Sequence, residues 1–228
     1  LYDAPAVKGA FLSCVDKAPK KLKIAYTYEP LLRDGTIDSE CLQGLQATVA
    51  LLRDLGHEVV EASPPLDKKT LAEGYLLRIA AATAGEVLDS ERILGRRMGM
   101  DDFETETWSL ARLGQSFNAG DLDYANRQLY AQTRVFEQWM QQYDVFLTPT
   151  LAAPPVTFGE FHLKGIEKLL SPLAKRLPLG PLVHFLPVLS HLAAQSFQWV
   201  VSTPVMNITG NPSVSLPLHW TKDNLPVG

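Results

Sequence analysis

The sequence has little cysteine and no excess of positive charge. Its 228 residues include two cysteines, Cys14 and Cys41, and 21 lysines and arginines against 25 aspartates and glutamates. Two cysteines this far apart cannot form a metal cage of the CxxC type, and a chain of this size does not need a disulfide scaffold. The basic cluster from Lys17 to Lys23 is typical of a solvated loop, not of the clustered charge that phosphate contacts require. We therefore predict neither a metal site nor a nucleic-acid partner.

Long hydrophobic runs are absent as well. The most apolar stretch, residues 164–199, is interrupted by four prolines, and its apolar runs are far shorter than the ~20 residues of a spanning helix. Short helices folded over a pocket fit this pattern, so we expect a lid or wall for an apolar substrate. A shallow membrane contact is the second, less favoured alternative. Binding to liposomes would separate the two.

Histidine and arginine offer no clear catalytic pattern. His184 and His191 could share a helical face, but Pro187 stands between them and no carboxylate is near in sequence. We expect both histidines to be packed or exposed, and His219 to be a loop residue instead of a catalytic base. The pair Arg96-Arg97 could grip an anionic substrate, but a solvated pair is the favoured interpretation.

What the chain does contain is ordinary globular composition, 46% hydrophobic and 20% charged. Cys41 falls on the apolar side of a predicted helix, so we expect it to be packed and unreactive. Because both cysteines are expected to be reduced, we predict a cytoplasmic location.

The first recognisable unit is a βαβ arrangement over residues 22–62. The run from Leu22 to Tyr28 has strand composition, and a second strand begins at Val59. Between them, Asp38 is a favourable N-cap, and apolar residues recur at three- and four-residue steps until Gly56 ends the helix. A crossover helix of this length implies parallel strands and a right-handed connection.

Residues 67–143 form a helical region. Apolar spacing predicts one helix from Asp67 to about Glu91 and another from Asp121 to Tyr143. The stretch from Arg92 to Asn118 is less regular and is interpreted as a surface excursion. The strand Val145 to Thr148 then continues the alternation of helix and strand, which is typical of an α/β fold with helices on both faces of a sheet.

The chain is organised around its last stretch, Thr203 to Gly228. Turn formers cluster from Asn207 to Pro212, which predicts a loop with a sharp bend. Apolar and polar residues then alternate from Ser213 to Leu218, which predicts a half-buried strand ending at a sheet margin. A turn at Asp223-Asn224 leads into a strand-forming run where the sequence stops, so we expect the fold to be incomplete in this chain.

Three segments of the chain carry a family resemblance. They are NITGNPSVSLPL (Asn207 to Leu218) with LPVG (Leu225 to Gly228), YDVFLTPTLAAP (Tyr143 to Pro154), and Leu22 to Tyr26 with Leu55 to Ala62 from the βαβ unit. These segments resemble the amidase signature family of serine amide hydrolases. The first is similar to the C-terminal signature of that family, the second to the strand and loop before it, and the third to an earlier part. Together they identify residues 1–228 as the C-terminal portion of a single amidase domain. Residues 144–228 are its strand-loop-strand region, with 164–199 as an apolar insertion.

The resemblance implies a three-layer α/β/α fold with a mixed sheet, and it also implies a reaction chemistry, the hydrolysis of amides. In that chemistry a serine, a cis-peptide serine and a lysine cleave a carboxylic amide with no metal or cofactor. These three residues lie upstream of the region resembled, and none of the twelve serines here has a Gly-Ser-rich setting, so we assign no catalytic residue. We expect this chain to be inactive alone and to need the missing portion to bind a small amide substrate. The alternative is a non-catalytic, amidase-like binding module.

The loop after the third predicted strand is the first place to expect substrate binding. Ligands in such sheets lie beyond the strand ends, and Thr148 and Thr150 offer hydroxyls that can orient an amide. The resemblance also places this loop near the acyl-binding side of the family's cleft. The alternative is that Pro149 merely ends the strand.

Met206 and Asn207 are the other two candidates for substrate binding. A soft apolar side chain beside an amide suits an acyl substrate. Asn207 as a cap for the turn to Gly210 is the equally favoured alternative.

Overall fold

The computed structural model describes residues 11–15, 17–158, 193 and 197–228, and within them a three-stranded parallel sheet. Its strands are β1 (Lys23–Tyr26), β2 (Glu58–Glu61) and β3 (Val145–Leu147), in the order β2-β1-β3. Ile24 lies beside Val59 on one side and beside Val145 on the other. Among the described residues β3 pairs with β1 alone, so it is an open edge.

One face of the sheet is covered by α1 (Ser39–Asp54). Asp38 begins this helix as predicted, because its Oδ1 accepts the backbone N–H of Glu40 at 2.8 Å. Gly56 ends it with a φ of +90°, a conformation that strains other residues. The apolar cluster between helix and sheet consists of Ile24, Tyr26, Leu45, Val49 and Val59. The predicted strand-helix-strand unit and its parallel pairing are confirmed.

The opposite face is covered by α2 (Lys68–Leu94), α3 (Thr105–Gly114), α4 (Ala119–Met140) and the short α5 (Thr203–Thr209). The core on this side includes Leu71, Leu76, Leu129, Phe136 and Val205. Phe146 of β3 packs onto it against the rings of Phe136 and Trp139. The described residues therefore form three layers, with the sheet in the middle.

The helix α3 corrects the interpretation of residues 92–118 as an irregular excursion. It buries Ala111 and Leu113 against α2, and Gly114 lies so close that a Cβ there would be 1.9 Å from the carbonyl oxygen of Ala80. The helix is only ten residues long, so its apolar period has little room to repeat. Arg96 is not a free solvated side chain, because it makes two hydrogen bonds to the carboxylate of Asp102.

The predicted loop and strand after Ser202 are also wrong. Residues 203–209 form α5, which has Pro204 in its first turn and Gly210 at its end with a φ of +79°. Residues 211–218 pair with no strand in the described chain, and Val214 and Leu216 are 79% and 53% exposed. An extended segment without a neighbour is not stable as a strand, and Pro212 and Pro217 remove two donors.

The last residues form a small antiparallel sheet of β4 (His219–Trp220) and β5 (Pro226–Val227). Asn224 in the connecting turn has a φ of +59°, so the predicted turn is confirmed. His219 lies in a strand and not in a loop, which corrects its expected place.

Most of the predicted apolar insertion lies outside the described residues. Within 164–199 only residues 193 and 197–199 are described, so the lid and the membrane contact stay predictions, and His184 and His191 lie outside. In the part of the chain that is described, no helix is both long enough and apolar enough to cross a membrane.

Candidate active-site cleft

A cavity of about 630 Å³, which we call the main cavity, follows β3 along the open edge of the sheet. Its lining includes every residue from Asp144 to Thr150. It also includes Leu45 from the α1 face and Phe136 and Met206 from the opposite face, so the cavity wraps around the edge strand. Its two ends differ, since apolar side chains dominate beside the strand and hydroxyls gather where the strand ends.

Three of the four residues predicted to bind substrate line this cavity. Thr148, Thr150 and Met206 are half-buried on its wall, although the first two lie more than fifty residues before the third. Asn207 does not line it. Consecutive helical residues point about 100° apart, and Asn207 faces α2, where its Nδ2 donates to the Tyr75 hydroxyl at 3.3 Å. The end of α5 is closed instead by the N–H of Gly210, which donates to the Met206 carbonyl.

A hydroxyl pair joins three segments at the carboxyl end of the cavity. Thr150 Oγ1 and Ser215 Oγ are 2.7 Å apart, and the N–H of Thr150 donates to the carbonyl of Gly228 at 3.0 Å. A Cβ at Gly228 would lie 2.4 Å from Ser215 Oγ, so a larger residue there would have to displace this hydroxyl. Sequence reasoning missed Ser215, although the alternation around it had placed it opposite the apolar side chains.

A second cavity of about 240 Å³ adjoins the same hydroxyl pair. None of the described side chains that line it is charged. Burial, with smaller contributions from Asp38 and Glu40, raises the pKa of Cys41 to about 11, so that thiol is neutral at pH 7. Its lining consists of Cys41, Thr150, Leu151, Ala153, Pro154, Pro155, Ser215, Pro217, Pro226, Val227 and Gly228. Four prolines give it walls with few backbone donors and little freedom, which suits an uncharged apolar group.

His219 ties the wall of the main cavity to α1. Its Nε2 lies 2.9 Å from Glu40 Oε2, and both side chains are about three-quarters buried. Gly44 allows this approach, since a Cβ there would lie 2.9 Å from the Cβ of His219. This contact fixes the position of β4, which directly follows the segment that carries Ser215.

Similarity to known proteins shows which family the chain belongs to. The model of the amidase family matches residues 2–228. The chain belongs to the amidase family. The resemblance drawn from its three segments is therefore confirmed.

Curated relatives extend well beyond the region they share with this amidase-family chain. A lipoamidase from Enterococcus faecalis is 29% identical over 216 residues, which are 90% of this chain and 28% of that protein. A 6-aminohexanoate-cyclic-dimer hydrolase from Pseudomonas sp. (strain NK87) is 24% identical over all of this chain and 43% of its own length. The chain thus spans less than half the length of these two relatives.

Solved structures confirm the fold class. The structure of a 6-aminohexanoate cyclic dimer hydrolase covers all of this chain with a TM-score of 0.78 at 21% identity, and 44% of that chain is matched. A bacterial aryl acylamidase of the amidase signature family gives a TM-score of 0.70 at 18% identity, over 99% of this chain and 42% of its own. The α/β fold is therefore that of part of an amidase signature enzyme.

Ser202 is a residue of this amidase fold that sequence reasoning passed over. Its side chain is 1% exposed, its Oγ has no hydrogen-bond partner among the described residues, and it lines the main cavity. A serine before Thr203-Pro204 would ordinarily indicate a helix cap, so nothing in the sequence marks it as a cavity residue.

Across the described residues, no three side chains of His, Cys, Asp or Glu lie close enough together to hold a metal ion. The cavity is lined by threonine and serine hydroxyls, an Asp144 carboxylate at its far end and two histidines, His57 and His219. The Asp144 carboxylate is already engaged, because it accepts the backbone N–H of Lys23 at 2.7 Å.

Proposed function

We propose that this chain is part of an amidase that hydrolyses a carboxylic amide C–N bond. In this proposal the serine nucleophile, the cis-peptide serine and the lysine come from sequence outside residues 1–228. The single observation that carries the proposal is the cavity along β3 in a chain of the amidase family, with the hydroxyls of Thr148 and Thr150 at its carboxyl end. Ligands in open parallel sheets bind at that end.

The cavity divides into two parts with different roles. Beside β3 it is apolar, and Val145 is 41% exposed on a strand with one open edge, which suits the docking of further sheet. Coverage of 28–44% of the relatives supports this division, because more than half of their fold has to pack somewhere. The carboxyl end, with Thr148, Thr150 and Met206, then forms one wall of the substrate cleft.

We infer an uncharged, largely apolar amide as the substrate class. Among the described residues, no lysine or arginine lines either cavity, and the smaller cavity is lined by no charged residue. A charged substrate end would lose its hydration there without a partner. The names of the relatives, a lipoamidase and a hydrolase of a cyclic aminohexanoate dimer, also support an amide.

The proposed reaction needs no bound cofactor. The serine attacks the amide carbonyl, the amine or ammonia leaves, and water resolves the acyl enzyme. For this the lysine has to be neutral, so its pKa has to be lowered by burial and neighbours. The residues of this chain orient the amide and exclude water from the cleft. We also propose a cytoplasmic location, which the two free cysteines support.

The test compares the full-length protein with residues 1–228 alone. We expect the full-length protein to release ammonia from simple alkanamides and to lose this activity after treatment with a serine-directed fluorophosphonate. Residues 1–228 alone are expected to release none. Amide hydrolysis by residues 1–228 alone would overturn the proposal that the nucleophile lies outside this chain. Binding of amides without turnover by the full-length protein would favour the non-catalytic module.

A further inference from the structure

The hydroxyl of Ser202 stands out on the wall of the main cavity because it lacks a partner. The side chain is 1% exposed, and its Oγ makes no hydrogen bond within the described residues. More than nine-tenths of buried polar groups in proteins have a partner, since an unpaired one forfeits its hydrogen bonds to water. A buried, unpaired hydroxyl on a cavity wall therefore points to a ligand.

The local structure holds the backbone of Ser202 in place but leaves its hydroxyl unused. The carbonyl of Val201 accepts the N–H groups of both Leu31 and Leu32 at 3.0 Å. The carbonyl of Ser202 accepts the N–H of Val205 at 3.0 Å. A serine directly before a helix ordinarily accepts a hydrogen bond from the first turn, and Ser202 makes no such bond. The backbone is thus fixed on both sides of a hydroxyl that makes no described bond.

The surroundings of Ser202 decide which ligand chemistry fits. Its neighbours Val201 and Val205 are almost fully buried, and Phe136 and Met206 line the same side of the cavity. No lysine or arginine of the described chain lines the cavity, so an anionic group would find no counter-charge on these walls. A hydroxyl can donate to a carbonyl or accept from an N–H, and both are present in a neutral amide.

We propose that Ser202 Oγ is a substrate-binding group that hydrogen-bonds the neutral amide of the substrate at the α5 side of the cavity. This assignment rests on the proposed function, which supplies the amide. With Thr148 and Thr150 on the strand side, the substrate then meets hydroxyls from two separate elements. The wall thereby selects an uncharged polar group flanked by apolar ones.

The experiment measures thermal unfolding of the full-length protein at increasing concentrations of hexanamide, an uncharged primary amide. Wild type, Ser202→Ala and Ser90→Ala are compared. Ser90 is the matched control, because it lies on α2 away from the cavity and donates to the Glu86 carbonyl. Without hexanamide we expect an unchanged or higher Tm for Ser202→Ala, since a methyl group replaces an unpaired hydroxyl.

With hexanamide, we expect the Kd of Ser202→Ala to be about two- to tenfold higher than that of wild type, the effect of one neutral hydrogen bond. Ser90→Ala is expected to keep the wild-type Kd. An unchanged Kd in Ser202→Ala would overturn the proposal. A lower Tm without ligand together with an unchanged Kd would show that Ser202 bonds another part of the protein and not the substrate. Failure of hexanamide to bind the wild-type protein would also overturn the proposal.

Hydrolysis of hexanamide, measured in the same samples, separates this proposal from the proposed function. Binding that depends on Ser202 but is not followed by hydrolysis would contradict the amidase activity alone. Hydrolysis with a KM that does not respond to Ser202→Ala would contradict the role of Ser202 alone.

Discussion

At the scale of single residues, the two cysteines lie in opposite environments. Cys14 is exposed, while Cys41, a residue of α1 that lines both cavities, is 2% exposed. Burial first, then Asp38 and Glu40, raises the pKa of the Cys41 thiol to about 11. The thiolate is the reactive form, so Cys41 is protected both by burial and by its protonation.

We predict that iodoacetamide at pH 7.5 alkylates Cys14 and leaves Cys41 unmodified in the folded protein. Peptide mapping by mass spectrometry checks this, with the urea-unfolded protein as the control in which both thiols react. Modification of Cys41 in the folded state at a rate close to that of Cys14 would contradict the described packing of α1.

A second effect at this scale is the low pKa of Asp102. Its hydrogen bonds from the Arg96 guanidinium, and then from the Gly99 N–H, lower the pKa to about 2. Because the pKa is lower in the folded than in the unfolded chain, the pair stabilises the loop above about pH 4. This contribution is lost as the pH falls from about 4 to about 2.

We predict a midpoint near pH 2 for Asp102 when its carboxyl carbon is titrated by NMR. Arg96→Gln should move the midpoint up toward about 4, the usual value of an aspartate. Arg97→Gln is the matched control and should leave it unchanged, because the Arg97 side chain makes no described bond to Asp102. Equal midpoints in wild type and Arg96→Gln would show that the pair is not formed in solution.

At the scale of elements, the contact between α2 and α3 depends on a glycine. A Cβ at Gly114 would lie 1.9 Å from the carbonyl oxygen of Ala80, whereas a Cβ at Gly85 would meet nothing within 4 Å. Both glycines are helical, so alanine is favoured at both by propensity alone. Packing therefore decides whether alanine at each position raises or lowers the free energy of unfolding.

We predict that Gly85→Ala stabilises the protein by about 0.5–1 kcal/mol, while Gly114→Ala destabilises it by about 1–3 kcal/mol through overpacking. Urea unfolding of the two variants measures this difference directly. A stabilising Gly114→Ala would mean that α3 does not pack as described.

The contact of β4 with α1 makes a similar prediction. His219 and Glu40 are 2.9 Å apart and partly buried, so we expect a coupling of about 0.5–1.5 kcal/mol, the size of one hydrogen bond. A double-mutant cycle of His219→Ala and Glu40→Ala, measured by urea unfolding, tests it. Additive effects of the two substitutions would show that the bond does not hold β4.

The elements that sequence reasoning found share strong local signals. α1 has the Asp38 cap, an apolar period over sixteen residues and the Gly56 stop, and its strands have strand composition. α5 was missed although Pro204 and Gly210 bracket it, because turn-forming residues also fit a loop. The predicted strand over residues 213–218 failed because pairing depends on a neighbour that sequence periodicity does not reveal.

The candidate site was predictable only in part for the same reason. Thr148 and Thr150 follow a strand end, a position that general rules connect with ligands. Met206 and Asn207 are adjacent in sequence, but the helix turns one toward the cavity and the other toward Tyr75. Ser202 and Ser215 became visible only from burial and distances, which depend on packing between distant segments.

At the scale of the whole molecule, the open edge of β3 is where further sheet is proposed to dock. The described residues place helices on both faces of β1, but their sheet stops at β3 beside a cavity of about 630 Å³. Since the chain matches the amidase family over residues 2–228 and spans less than half of its relatives, the remaining sheet and the nucleophile are proposed to lie outside it.

The most direct measurement is to map the serine that a fluorophosphonate modifies in the full-length protein. After digestion, mass spectrometry identifies the labelled peptide. We predict that the label lies on a serine outside residues 1–228 and that an excess of hexanamide slows the labelling. A label on any of the twelve serines within residues 1–228 would contradict the account.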